Sequence, residues 1–143
     1  MISVVFDTNV LASAFVGLER PGSVPGDLIR RWGDAEFTLV VSEPILIELN
    51  RTFHDRYFVQ KLGRIGTVEA IRSLRSNAVI QPITIHVHGI ATQPKDDLIL
   101  ATAASANAPY LVTGDRPLQG LGRFAQTVIL SPRQFLDVLE SNT

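Results

Sequence analysis

The sequence predicts an α/β fold in which a mainly parallel sheet lies between helices. Four short, continuous, β-rich apolar runs are each bounded by polar or turn residues, as buried parallel strands are. Stretches of helical periodicity lie between them, and strands alternating with helices build parallel sheets. Acids also stand directly after two of the runs, where open α/β sheets form their ligand crevice.

The elements follow in chain order. Ile2–Phe6 is the first strand and runs straight into Asp7. The segment 17–26 reads as a loop punctuated by Gly and Pro. Pro25–Gly33 is a short helix with Gly33 near its end. Phe37–Val41 is the second strand. Ser42 then suits an N-cap and Pro44 a first turn, while Ile45, Leu49 and Phe53 recur at i, i+4 and i+8. That helix is expected to reach about Arg56. Thr67–Ser76 carries Val68, Ile71 and Leu74 on one face. Ala78–Ile85 is a weaker strand, because Pro82 interrupts it. The segment 87–95 is a second loop. Asp96–Ala106 opens with two acids and continues as an Ala- and Leu-rich helix. Tyr110–Thr113 and Thr127–Leu130 are the remaining strands. Ser131 and Pro132 start a last helix carrying Phe135, Leu136 and Leu139.

Composition narrows the class. The length of 143 residues fits a single domain over 1–143, and 45% apolar residues suffice for a core. The net charge of −1, from 13 basic and 14 acidic residues, does not mark a nucleic-acid binder, although a local basic patch still steers. The lack of cysteine excludes disulfides, thiolate metal sites and a Cys nucleophile. The opening Met1-Ile2-Ser3-Val4-Val5-Phe6 lacks the basic start of a secretory signal. No apolar stretch approaches the roughly 20 residues that span a bilayer. The expectation is a soluble, cytoplasmic domain with no membrane partner.

Four acids sit where function would put them. Asp7 follows the first strand, and Asp115 follows Tyr110-Leu111-Val112-Thr113-Gly114, with Gly114 easing the turn. Asp96 opens a helix. Glu48 lies roughly 60° around its helix from Ile45, on the border of the apolar stripe. Each also has a purely structural use: Asp7 as a helix cap, Asp115 as a turn residue, Asp96 or Asp97 as a partner of the helix dipole, Glu48 as a flanking charge. Taken together, strand-end acids converging on one crevice repel strongly unless cations lie between them. Hard oxygen ligands suit Mg²⁺ or Mn²⁺. Such a site suits phosphodiester hydrolysis, because a bound metal acidifies water and stabilises the departing oxyanion. Asp7, Asp96 and Asp115 are then the expected ligands, direct or through water, and Glu48 holds or positions a water. Thr8, Asn9 and Thr113 are expected to add supporting or phosphate hydrogen bonds.

The pattern resembles the PIN-domain ribonucleases, in particular the VapC-like toxins of bacterial toxin–antitoxin pairs. The resemblance spans nearly the whole chain. Val5-Phe6-Asp7-Thr8-Asn9-Val10-Leu11 looks like the family's first acidic motif. Val41-Ser42-Glu43-Pro44-Ile45-Leu46-Ile47-Glu48-Leu49 looks like the second. Pro94-Lys95-Asp96-Asp97-Leu98-Ile99-Leu100-Ala101-Thr102-Ala103 looks like the third, and Tyr110-Leu111-Val112-Thr113-Gly114-Asp115 like the fourth. Register within the third motif prefers Asp96 to Asp97 as ligand. The resemblance implies a five-stranded, mostly parallel sheet in an α/β/α sandwich and a Mg²⁺- or Mn²⁺-dependent endoribonuclease. It also implies an RNA substrate, a homodimer and a cognate antitoxin covering the groove. One departure stands out: Pro117 occupies a place where many members carry a further acid. Gln93 and Lys95 likewise stand where relatives are often acidic, and Lys95 is suited to meet a phosphate.

Other features compete. Arg20, Arg30, Arg31, Arg51, Arg56, Lys61, Arg64, Arg72 and Arg75 put much of the positive charge in the first half, as an RNA flank or as solvated helix surface. Trp32, Phe53, Tyr57 and Phe58 serve either base stacking or packing. His86 and His88 have no third soft ligand for a transition metal. A haloacid-dehalogenase-like phosphohydrolase needs a second Asp two residues after the first, where Asn9 stands. A non-catalytic RNA- or partner-binding domain on the same fold is the other alternative.

Overall fold

The computed structural model describes residues 1–142. The elements run β1 Ser3–Phe6, α1 Thr8–Gly17, α2 Val24–Gly33, β2 Thr38–Val41, α3 Glu43–Phe53, α4 Arg56–Asn77 and β3 Val79–Ile80. They continue as α5 Pro94–Ser105, β4 Tyr110–Val112, α6 Arg116–Gln119, β5 Arg123–Phe124, β6 Thr127–Leu130 and α7 Pro132–Ser141. The strands form one sheet in the order β3-β2-β1-β4-β6-β5, flanked by helices. All neighbours are parallel except β5 and β6.

The expected five strands are therefore six. β5 is a two-residue antiparallel edge with no apolar run to announce it. The weak strand expected over 78–85 shrinks to Val79–Ile80, since Pro82 cannot extend the ladder. The helix expected to reach Arg56 stops at Phe53, because Asp55 caps the next helix by accepting from the Tyr57 N–H at 3.0 Å. That next helix starts eleven residues before the expected Thr67, and it kinks at Gly63, where φ is 71°. The segment 17–26, expected as a loop, holds the end of α1 and the start of α2, and α1 is a helix that the apolar pattern does not announce. Gly17 and Gly26 are required there. A Cβ on Gly26 would lie 2.1 Å from the Gly17 carbonyl oxygen, so only glycine lets α2 start against the end of α1.

The apolar runs fill the interior as the pattern predicts. Val4, Val5, Phe6, Leu39, Val41, Leu111 and Val112 are fully buried. Phe135 of α7 packs edge-on against Phe6 and Phe37 and lies tilted against Tyr110, so the last helix is fastened over the sheet by rings. A capping box between Ser131 and Gln134 starts that helix. Among the described residues no helix is long and apolar enough to cross a membrane.

The strand order positions the site. From β1 the chain moves to β2 on one side, and later fills β4 and β6 on the other. The switch point is therefore between β1 and β4, and the crevice opens at their carboxyl ends.

Candidate active site

Asp7 and the stretch 113–115 leave the sheet at that switch point, held together by the Asp7 N–H donating to the Val112 carbonyl at 3.0 Å. Asp7 is 4% exposed. Its Oδ1 accepts from the Val10 N–H at 2.8 Å, which caps α1, and its Oδ2 accepts from the Thr113 hydroxyl. Burial pushes its carboxyl above the usual carboxylate range. The bonds from Thr113 and Val10 work against that push, and the charges of Asp96 and Asp115 add to it.

Asp96 stands in the first turn of α5. Its carboxyl is also raised, by burial first and then by Asp115, with Lys95 opposing. Asp115 caps α6 by accepting from the Leu118 N–H at 2.9 Å, and its own N–H donates to the Thr113 hydroxyl oxygen at 3.0 Å. Gln119 fixes the same loop by donating to the Thr113 carbonyl at 2.6 Å. Nothing in the sequence pattern singles Gln119 out.

A cleft of about 390 Å³ runs between α3 and α5, with Asp7, Thr8 and Asn9 at its β1 end. Glu48 and Arg51 line the α3 wall, Lys95 and Asp96 the α5 wall. Glu48 is half-buried and pairs with Arg51 at 3.5 Å. A smaller cavity of about 60 Å³ joins Asp96 to Asp115, with Pro117 in its wall. The structure thus brings Asp7, Asp96 and Asp115 within each other's fields, and it places Glu48 across the cleft. Thr8 is buried and Asn9 exposed.

Asp97 has a different job. It takes three backbone N–H groups, from Gly89 at 3.0 Å, Ile90 at 3.2 Å and Ala91 at 2.7 Å. Those bonds, Ala91's foremost, hold its carboxyl below the usual range. The paired acids are thereby told apart: Asp96 lines the cleft and Asp97 anchors the loop before α5.

The donor set suits a divalent cation. It is all oxygen, it comes from three separate elements, and its members raise one another's affinity for positive charge. Among the described residues no three acids or histidines stand close enough to form a finished metal cage. In this arrangement both Asp7 oxygens accept hydrogen bonds, Asp115 caps a helix and Glu48 pairs with Arg51. His86 and His88 join no such cluster either.

Some of the basic residues of the first half are engaged in ion pairs. Arg30 and Arg31 pair with Asp27, Arg31 also with Glu36, Arg72 with Glu69 and Arg75 with Glu43. Of the aromatics, Phe53 is core, Trp32 and Phe58 pack against the core, and Tyr57 is 48% exposed. His54 hydrogen-bonds the Asn50 carbonyl at 2.7 Å on its own helix.

The sequence matches the family described as PIN domain over residues 3–117. A search of curated proteins gave no match. Among solved structures, the chain is similar to one in the crystal structure of VapBC2 from Rickettsia felis bound to a DNA fragment from their promoter. The identity is 15%, with 90% of this chain and 97% of that chain covered and a TM-score of 0.59, a likeness of fold.

Proposed function

The chain belongs to the PIN-domain family, and from that premise we propose that it is a divalent-cation-dependent endoribonuclease, the toxin half of a toxin–antitoxin pair. The observation that carries this reading is Asp7: a buried carboxylate at the switch point, raised further by Asp96 and Asp115 from two other elements. Uncompensated negative charge of this kind is retained where a cation or a cationic transition state uses it.

Asp7, Asp96 and Asp115 would hold the cation, Mg²⁺ or Mn²⁺, and Glu48 on the opposite wall would assist in positioning water. When bound, the cation supplies an acidified water and neutralises charge on the phosphate. The chain's own residues do the rest. Thr113 orients the Asp7 carboxylate, Lys95 and Arg51 present positive charge along the cleft walls, and Asn9 offers an amide to a phosphate or ribose oxygen. RNA is the substrate, and the antitoxin and a second copy of the chain are its protein partners. The similar Rickettsia felis structure, VapBC2 bound to a fragment of promoter DNA, supports the antitoxin assignment. The cytoplasm, where RNA substrate is met, is the proposed location.

A second reading, a non-catalytic RNA- or partner-binding PIN domain, is favoured by one observation. Pro117, in the wall of the small cavity beside Asp96 and Asp115, stands where a further acid is expected from the family resemblance. One assay separates the two. The full chain is incubated with mixed RNA, with and without Mg²⁺ or Mn²⁺. Metal-dependent cleavage that disappears in Asp7→Asn supports the ribonuclease. Well-folded protein that binds RNA and leaves it intact under every metal condition establishes the binding module.

A further inference from the structure

We propose that the buried hydroxyl pair Ser42–Thr102 is a positioning lock that fixes α3 against α5, and with them the separation of Glu48 from Asp96. The proposal rests on the reading of the cleft as a metal-dependent ribonuclease site.

Ser42 and Thr102 are both fully buried, and their hydroxyl oxygens lie 2.7 Å apart. The Thr102 hydroxyl donates to the Leu98 carbonyl at 2.8 Å, so its oxygen accepts and Ser42 is the donor. Among the described residues no other hydrogen bond joins α3 to α5. Ser42 stands at the N-cap of α3 with an extended backbone, φ −135° and ψ 164°, yet its side chain makes no cap bond. Asp7, Ser23, Asp55, Asp115 and Ser131 all use their side chains as caps in the corresponding place. Ser42 thus forgoes a local bond to make one across the fold. A serine at a helix start has little reason to do so for stability alone, since capping satisfies an otherwise orphaned N–H.

The geometry says what the tie controls. Glu48 lies six residues after Ser42 on α3, and Asp96 lies six residues before Thr102 on α5. At the rise of an α-helix, the tie is about 9 Å along each axis from its acid. The same two helices form the facing walls of the cleft. Helices are stiff over this length, so a displacement at the tie reaches the acids instead of being absorbed in between.

The test uses the full chain with Thr102→Val, Ser42→Ala, the double variant and Thr102→Ser. It reads kcat and KM for RNA cleavage, Mn²⁺ affinity by titration, and melting temperature. Thr102→Val keeps the branched shape and frees the Ser42 hydroxyl to turn to a first-turn N–H of α3, so it melts close to the parent. Its kcat falls about tenfold and its Mn²⁺ affinity drops by a similar factor, as for other groups that hold ligands in place. KM stays near the parent value. Ser42→Ala behaves alike and carries the test if Thr102→Val does not fold. Thr102→Val also removes the bond to the Leu98 carbonyl, but the Ser42–Thr102 bond is the one that both singles lose, so the double variant is no worse than Thr102→Val alone. Thr102→Ser retains the parent kcat. Parental kcat in both single variants, additive losses in the double, or losses that merely track melting temperature overturn the lock. A parent chain that cuts no RNA overturns the ribonuclease reading instead. The lock is then decided by Mn²⁺ affinity, and parental affinity in Thr102→Val rejects it.

Discussion

The Thr113 hydroxyl donates to Asp7 while accepting the Asp115 N–H at 3.0 Å, so one side chain couples the acids that end β1 and β4. Thr113 and Asp7 are buried, and their bond joins the ends of two strands that pair in parallel at the switch point. It lowers the cost of a charged Asp7, which burial opposes. A neutral hydroxyl, together with the Val10 N–H, thus partly offsets the effect of burial on Asp7.

Replacing Thr113 by Val keeps the shape and removes that donor. The expected loss is about 10- to 100-fold in cleavage rate and in Mn²⁺ affinity. Steady-state kinetics and a metal titration read it, and Thr113→Ser restores both. A valine variant with parental rate and affinity would show that Asp7 needs no such support.

Asp7→Asn is expected to stabilise the metal-free protein while abolishing cleavage. Burial holds the folded carboxyl above its ordinary value. The fold therefore holds a proton there more tightly than the unfolded chain does. That contribution is present at low pH and is lost as pH rises through the raised folded value, so at pH 7 the charged Asp7 is a net cost. Asparagine removes the charge and keeps an oxygen for the Val10 N–H. Thermal melts without metal at pH 7 should rise by a few degrees, and added Mg²⁺ should raise the parent more than the variant.

Asp97→Ala should destabilise the chain at neutral pH, because three backbone N–H groups of the loop before α5 lose their acceptor. Here the folded pKa lies below 3.8, the opposite sense from Asp7. The contribution is full above that value and is lost as pH falls through the folded one. Urea midpoints of parent and variant should differ at pH 7 and converge in acid. Equal midpoints at pH 7 would sink the anchoring role.

Gly26→Ala should cost about 1–3 kcal/mol by forcing α2 away from the end of α1. Urea unfolding measures it. Gly33→Ala is the control, since a Cβ there meets nothing within 4 Å.

The sequence by itself determined the α/β class, the central strands and the last helix, because those depend on local patterns. Buried parallel strands must be short and apolar throughout, as Val4–Phe6 and Leu111–Val112 are, and Ser131 with Gln134 makes a cap from neighbours alone. The strand-end placement of Asp7 and Asp115 was legible for the same reason. Tertiary structure decided the remainder. Sheet order brought Asp7 and Thr113, distant in sequence, into contact at the switch point. Asp96 and Asp97 are adjacent in sequence, and only the fold of the preceding loop gave one the cleft and the other three N–H groups. Ser42 looked like a cap, and a partner sixty residues away took its hydroxyl. A side chain's local options are set by its neighbours in sequence, but which option is taken depends on what the packed chain brings within hydrogen-bond reach.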